Sequence, residues 1–539
     1  MSFDLSTLPD DTESLKRMIV SLQEDFSDLK EHYDKETSIL LEQIRHLRSK
    51  LFGRKSEKQI SDDGVRILPL FDMPEPEDSE LPDAEEKQID VPAHTRKKVG
   101  RKPLPENLPR VEVVHDIAEE EKVCGCGSEL SRIGEEVSEQ LDIIPAKIRV
   151  IRNIRPKYAC RQCEGVEDDG PSVKIAQVPA QILPKSLATA GLLAHVLSAK
   201  FIDALPFYRQ EKQLARLGVE ITRATMCNWA MKAANACQPL LNLLQEEVVS
   251  GPVINIDETT VQVLKEPGRD PTTKSYMWLF RRGDPQKKIL LYQYHPTRAG
   301  DVAAAFLRGY QGYVQTDGYS GYDFLDRSQG IVHIGCWAHA RRKFMDVIKA
   351  QGKHRKKRGS ADVALKYIRG LYRIEKKAKE DKLSAQEIYQ VRQKESKPIL
   401  EEFKKWLAKR SLQTPPKGLL GMAISYSLNQ WDRLVGYIED GLLSPDNNGV
   451  ENGIRPFVVG RKNWLFSGTP QGASASAALY SLIETAKAND LEPYSYLRHV
   501  FEKLPTAKTL EDIEALLPWR LDKKKLYLES LQGIEEAVQ

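Results

Sequence analysis

Charge of one sign, cysteine and long apolar runs are all in short supply in this chain, and each shortage excludes something. Lys and Arg number 80 against 77 Asp and Glu in 539 residues, a formal net charge of +3, so the total announces no polyanionic partner. Seven cysteines are too few for a disulfide-built scaffold and suit a reducing cytoplasm. No stretch approaches the ~18 consecutive apolar residues of a membrane span. The acidic start MSFDLSTLPDDTESL also lacks an apolar signal core. The expectation is a cytoplasmic protein without a membrane partner. At ~100–200 residues per domain, the length allows several domains.

What is present is organised along the chain. In residues 1–55, Ile19, Phe26, Tyr33, Leu40 and Leu47 recur every seven residues, with Leu15, Leu22 and Leu29 in the alternate position until Glu36 and Gln43 interrupt that series. Such a stripe predicts a coiled coil, covered most simply by self-association, with packing on its own protein as the alternative. Residues 56–98 include DMPEPEDSELPDAEEK (72–87), too acidic and too poor in large apolar groups to bury a core, and are expected to be a linker.

Residues 99–176 hold Cys124, Cys126, Cys160 and Cys163. Two close pairs of thiolates are the usual supply for a tetrahedral structural Zn2+; reduced thiols without metal are the alternative. Cys227, Cys237 and Cys336 are expected as small buried hydrophobes, and Cys336 with His339 is half a ligand set without a second half, so core packing is expected there too. Residues 177–250 are helical by pattern. Within them ALPFYRQEKQLARLGVEITRATMCNWAMKA (204–233) breaks at Gly218 and reopens at Thr222, which predicts a helix-turn-helix with Arg223, Asn228 and Lys232 as candidate DNA contacts. An ordinary helical bundle would read the same way.

Three carboxylates stand in settings that can present them to one site: Asp257 in VINIDETTVQVL, Asp317 in GYVQTDGYSGY and Glu451 in SPDNNGVENGIRP. The first two follow alternating apolar residues and are placed at the ends of probable strands. Asp446, Asn447 and Asn448 signal a helix start, which puts Asn447, Glu451 and Arg455 on one face. Hard oxygen ligands suit magnesium, and two such ions can activate an attacking oxygen and steady a leaving one. Strand-like runs at 275–280 and 288–295, a helix-like run at 301–310 and a fifth strand at 332–337 complete an α/β pattern, a mixed sheet with helices on its faces in the order of the ribonuclease H type. Arg341, Arg342 and Lys343 open a basic run that reaches Arg358 with Asp346 as its sole acid. Such a run is fit to track a phosphate backbone, or to be a solvated loop.

The strings CWAHARRKF (336–344), DNNGVENGIRPFVVGRKNWLFSGT (446–469), YSLIETAK (480–487) and ALLPW (515–519), with KLFGRKSEK (50–58) and RPKYACRQC (155–163) nearer the front, resemble the insertion sequence 66 family of bacterial transposases. The resemblance runs from about residue 15 to about residue 520. It implies a DDE-type transposase with Asp257, Asp317 and Glu451 as its acidic triad, binding two Mg2+ or Mn2+ ions. It also implies a ribonuclease H-like catalytic domain over 251–500, a helical insertion at about 345–440, and a C-terminal tail over 501–539. Where that family usually has two residues between its first cysteines, this chain has only Gly125. Arg455, Arg461 and Lys462 either pair structurally with the nearby acid or grip DNA phosphates, and the resemblance favours the second; it also implies two small accessory proteins as partners, with work on bacterial nucleoid DNA. The expected reaction is cleavage at the ends of an insertion sequence followed by strand transfer into target DNA. The alternatives are a nuclease of the same fold that stops at hydrolysis and a DNA-binding regulator that has lost catalysis.

Overall fold

The computed structural model describes residues 11–52, 148–159, 173–283, 287–351 and 359–526. The expected linker and the four candidate zinc ligands Cys124, Cys126, Cys160 and Cys163 lie outside the described residues. The chain divides into two units, residues 74–176 and residues 1–73 with 177–539. In the first, β1 (Lys157–Ala159) pairs antiparallel with β2 (Val173–Ile175).

The second unit begins with α1 (Thr12–Phe52), started by Asp11, whose Oδ1 accepts the N–H groups of Glu13 and Ser14. Along its first half the heptad residues stand in the open: Phe26 and Tyr33 are each 69% exposed. Its last turns lie on its own protein. Glu42 Oε2 accepts the Leu419 N–H at 3.3 Å, and Gln43 Nε2 donates to the Lys417 carbonyl at 3.3 Å.

Helices α2 (Ala190–Phe201), α3 (Phe207–Arg216), α4 (Arg223–Ala236) and α5 (Gln238–Val249) follow. Between α3 and α4 the chain turns at Gly218, whose φ of +79° favours glycine. Thr222 Oγ1 then caps α4 by accepting the Thr225 N–H. The two helices and their turn thus form where the sequence placed them. These helices bury Leu197, Met226 and Leu240 in the same core as Ile256 and Phe280 of the sheet.

That sheet runs β5-β4-β3-β6-β7, where β3 is Val253–Gln262, β4 Lys274–Arg282, β5 Ile289–His295, β6 Gly312–Gln315 and β7 Ile331–Ile334. The first three pair antiparallel; β3–β6 and β6–β7 are parallel. Met277, Trp278, Leu279 and Phe280 are buried in succession, which a strand achieves only when both faces of its sheet are covered. Between β5 and β6 lies α6 (Gly300–Phe306), shorter than the expected 301–310. The edge at β5 is sealed by α14 (Pro470–Ala488): Ser481 Oγ accepts the Tyr292 N–H at 2.8 Å and Thr485 Oγ1 the Leu290 N–H at 3.1 Å.

Two strand expectations need correcting. Asp257 lies in mid-strand, because β3 continues to Gln262 against its long antiparallel partner. The fifth strand stops at Ile334, and Trp337 opens α7 (Trp337–Gln351), its indole N–H bound to the Leu434 carbonyl. The described residues of the region 345–440 are built of helices, with α8 (Ser360–Glu380), α10 (Lys397–Ser411) and α11 (Leu419–Asn429) as long elements, α9 (Ala385–Val391) and α12 (Trp431–Val435) as short ones. Trp337, Phe344, Phe403 and Trp431 share its core. Buried Arg392 pairs with Glu375 and donates to the carbonyls of Tyr437, Asp440 and Leu443, which ties the insertion to the segment entering α13 (Asn448–Trp464). Beyond α14, Leu516 and Leu517 also reach the main core. Among the described residues no helix is long and apolar enough to cross a membrane.

Candidate active site

β3 and β6 pair in parallel only from Val253 to Asn255, with Asn255 opposite Gln315. Their side chains meet: Asn255 Nδ2 donates to Gln315 Oε1 at 2.9 Å, while Gln315 Nε2 donates to the carbonyls of Gly335 and Ser444. Arg281 Nη1 donates to Asn255 Oδ1 at 2.8 Å. Two residues further along each chain come Asp257 and Asp317. Asp257 is still within β3, two residues past the amide pair, and Asp317 comes two residues past the end of β6, so the amide pair holds together the two segments that carry the acids.

Glu451 arrives on the first turn of α13. Glycines let this helix come close: a Cβ at Gly453 would meet Leu290 Cδ2 at 2.5 Å, and one at Gly449 would meet the Arg281 guanidinium at 2.7 Å. Asp446, not Asn447, provides the side-chain cap, accepting the Asn448 N–H at 3.1 Å. Asn447 Nδ2 instead donates to the Ile256 carbonyl at 3.0 Å and so pins the start of α13 next to Asp257. Glu451 is 8% exposed. Its Oε2 lies 3.4 Å from Arg342 Nη2 and its Oε1 lies 3.6 Å from His339 Nδ1.

Burial pushes the Asp257 carboxyl well above the usual carboxylate range, and the charges of Glu258, Glu451 and Asp317 push it the same way. Asp257 therefore sits in a poorly solvated place within electrostatic reach of Asp317 and Glu451. A divalent cation among such hard oxygen donors would hold them in ionised form, so the donor types fit one. Asp317 Oδ1 accepts the Tyr319 N–H at 2.9 Å, leaving Oδ2 free to face Arg298 Nη2 at 3.9 Å. Cys336 and Cys237 are buried, and burial pushes the Cys336 thiol up to about 12. Cys227 is exposed, contrary to expectation, because it falls on the outer face of α4. Burial lowers His339 although the Glu451 charge opposes this.

Sequence patterns alone did not reveal Glu258 and Arg298. The Glu258 side chain is 1% exposed and is held by Arg298 Nε and the Tyr322 hydroxyl. Burial raises its carboxyl even though those partners lower it. The Arg298 guanidinium rests 3.7 Å from the centre of the Tyr319 ring. A cation anchored on one side by a buried acid and stacked on another is pre-aimed at the remaining open side. Its only sequence signal was a single arginine in the β5–α6 loop.

The expected DNA contacts spread over three surfaces. Arg341, Arg342 and Lys343 lie on the first turns of α7, Arg342 against Glu451 and Lys343 4.5 Å from the Tyr426 ring. On α13, Arg461 Nη1 reaches the hydroxyls of Thr259 and Thr260 at 3.4 and 3.1 Å, Arg455 is half-buried and Lys462 exposed. Arg223, Asn228 and Lys232 are all exposed on α4.

Comparison with known proteins gives a consistent answer. The family model described as Transposase IS66 family matches residues 185–475, more than half of the chain, including all three acids. A zinc-finger binding domain of transposase IS66 matches residues 121–164, an IS66 C-terminal element residues 481–519, and a model described as Transposase C of IS166 homeodomain residues 39–113. Two uncharacterized proteins of Sinorhizobium fredii, y4jD and y4qI, are 32% identical over 532 residues and 30% identical over 553 residues, each comparison covering 96% of this chain and 98% of the relative. A shorter one, y4aQ, is 35% identical over 199 residues, 35% of this chain and 95% of its own length.

Proposed function

This chain belongs to the IS66 family of transposases, and we propose that it cuts DNA at the ends of an insertion sequence and joins the freed ends to target DNA. The observation that carries this reading is geometric: the Asn447 amide binds the Ile256 carbonyl at 3.0 Å, which brings the first turn of α13, with Glu451, against the strand that holds Asp257, while Asp317 follows the strand paired with it. The strand order, three antiparallel strands ending in β3 with the parallel β6 and β7 beyond it, supports a ribonuclease H-like catalytic domain. Asp257, Asp317 and Glu451 are the residues that would hold two Mg2+ or Mn2+ ions. Bound there, such ions supply Lewis-acid activation of the attacking oxygen and charge neutralisation at the leaving one.

The chain's own residues do the rest. Water attacks a phosphorus atom at the element end, the bond from phosphorus to the 3′ oxygen breaks, and a 3′-hydroxyl is released. That hydroxyl then attacks a target phosphodiester, so each step exchanges one P–O bond for another. Arg298, aimed by Glu258 and Tyr319, steadies the phosphate charge beside Asp317. Arg341, Arg342, Lys343, Arg455, Arg461 and Lys462 guide the backbone, and Arg223, Asn228 and Lys232 on α4 enter a groove of the element end. Cys124, Cys126, Cys160 and Cys163 bind a structural Zn2+, α1 pairs with a second copy, and small accessory proteins join the complex at the bacterial nucleoid. The test is an assay of end-labelled element DNA with Mg2+. The unaltered protein yields nicked ends and joined products, and Glu451→Gln yields neither. Cleavage without joining would mark a nuclease, and full transposition by Asp257→Asn would mark the acids as bystanders.

A further inference from the structure

The starts of α7 and α13 are clasped together. Trp337 N–H donates to the Pro445 carbonyl at 2.9 Å, and Asn447 N–H donates to Cys336 Sγ at 3.2 Å. Three residues beyond Cys336, His339 turns Nδ1 toward Glu451 Oε1 at 3.6 Å. Both atoms are buried without a hydrogen-bond partner, and so is Asn447 Oδ1, on a residue only 1% exposed. Unpaired polar atoms in such a place are costly, and a carboxylate oxygen and an imidazole nitrogen facing each other in this way call for an occupant. A separation of 3.6 Å is too long for a hydrogen bond. It suits two ligands of one cation, since bonds of ~2.1 Å put neighbouring donors ~3–3.5 Å apart.

Resting on the catalytic reading above, we infer that His339 Nδ1 is a direct ligand of the divalent cation bound by Glu451. This site then differs from an all-oxygen cradle. An imidazole nitrogen favours Mn2+, Co2+ and Zn2+ over Mg2+, and Cys336 Sγ, which lies with the other two donor atoms within 4.8 Å, adds a soft neighbour. Asn447 remains the pin between α13 and Ile256.

The experiment loads the full chain with Mn2+ alone and records electron spin echo modulation. The unaltered protein should show a directly bound nitrogen. That signal should change from the 14N to the 15N pattern when only histidine is 15N-labelled, a control that needs no variant to fold. It should vanish in His339→Ala, with Mn2+ affinity reduced ~10-fold or more, and should vanish in Glu451→Gln. Mn2+ bound in a Glu451-dependent way without a histidine nitrogen overturns the inference and leaves the catalytic reading standing. A nitrogen signal that survives His339→Ala also overturns it. Mn2+ binding indifferent to Glu451→Gln removes both.

Discussion

At the scale of single residues, Asp257 carries a testable cost. Its carboxyl is raised in the folded protein, so the fold retains a proton that the unfolded chain gives up above pH ~4. The stability linked to this group is complete below that pH and is lost as pH climbs toward the raised value. In metal-free buffer Asp257→Asn should therefore melt higher than the unaltered protein at pH 7, by about 2 °C or more, and the gain should shrink as pH falls toward 4. Added Mg2+ should stabilise the unaltered protein and not the variant; scanning calorimetry with and without chelator reads both. Arg298 makes the second residue-scale prediction. Arg298→Ala should lower the cleavage rate ~100-fold or more, the scale of losing one preorganised charge donor, while gel-shift binding of the element end changes far less.

At the scale of elements, the acids are only as well placed as the β3–β6 pair and the start of α13. Gln315→Leu removes the partner of Asn255 and the donor to Gly335 and Ser444. It should cost ~1–3 kcal/mol of stability, visible as a lower urea midpoint, and slow cleavage even though no acid has changed. Alternating apolar residues made β3 to β6 legible, and Gly218 with Thr222 made the turn between α3 and α4 legible, because these signals are local. The fates of Asn447 and Asp257 were not. Asn447 looks like a cap in sequence, yet its amide is claimed by Ile256, 191 positions away. Asp257 looks like a strand end because its apolar alternation stops there, while β4 keeps β3 extended to Gln262. Glu258 and Arg298 were invisible for the same reason, since their pairing exists only once β3 and the β5–α6 loop meet.

At the scale of the whole molecule, the exposed first half of α1 sets one more expectation. Ile19, Phe26 and Tyr33 offer an apolar stripe that the described residues leave exposed. Phe26→Glu with Tyr33→Glu should shift the protein to a monomer in sedimentation velocity, and the melting of the catalytic unit should stay unchanged. The proposed site needs three side chains, from β3, just past the end of β6 and α13, to converge. Diffraction from crystals soaked in Mn2+, recorded to bring out the anomalous signal of manganese, measures that convergence most directly. The account predicts anomalous peaks bounded by the carboxylates of Asp257, Asp317 and Glu451. Manganese bound elsewhere on the protein, with those carboxylates bare, would contradict it.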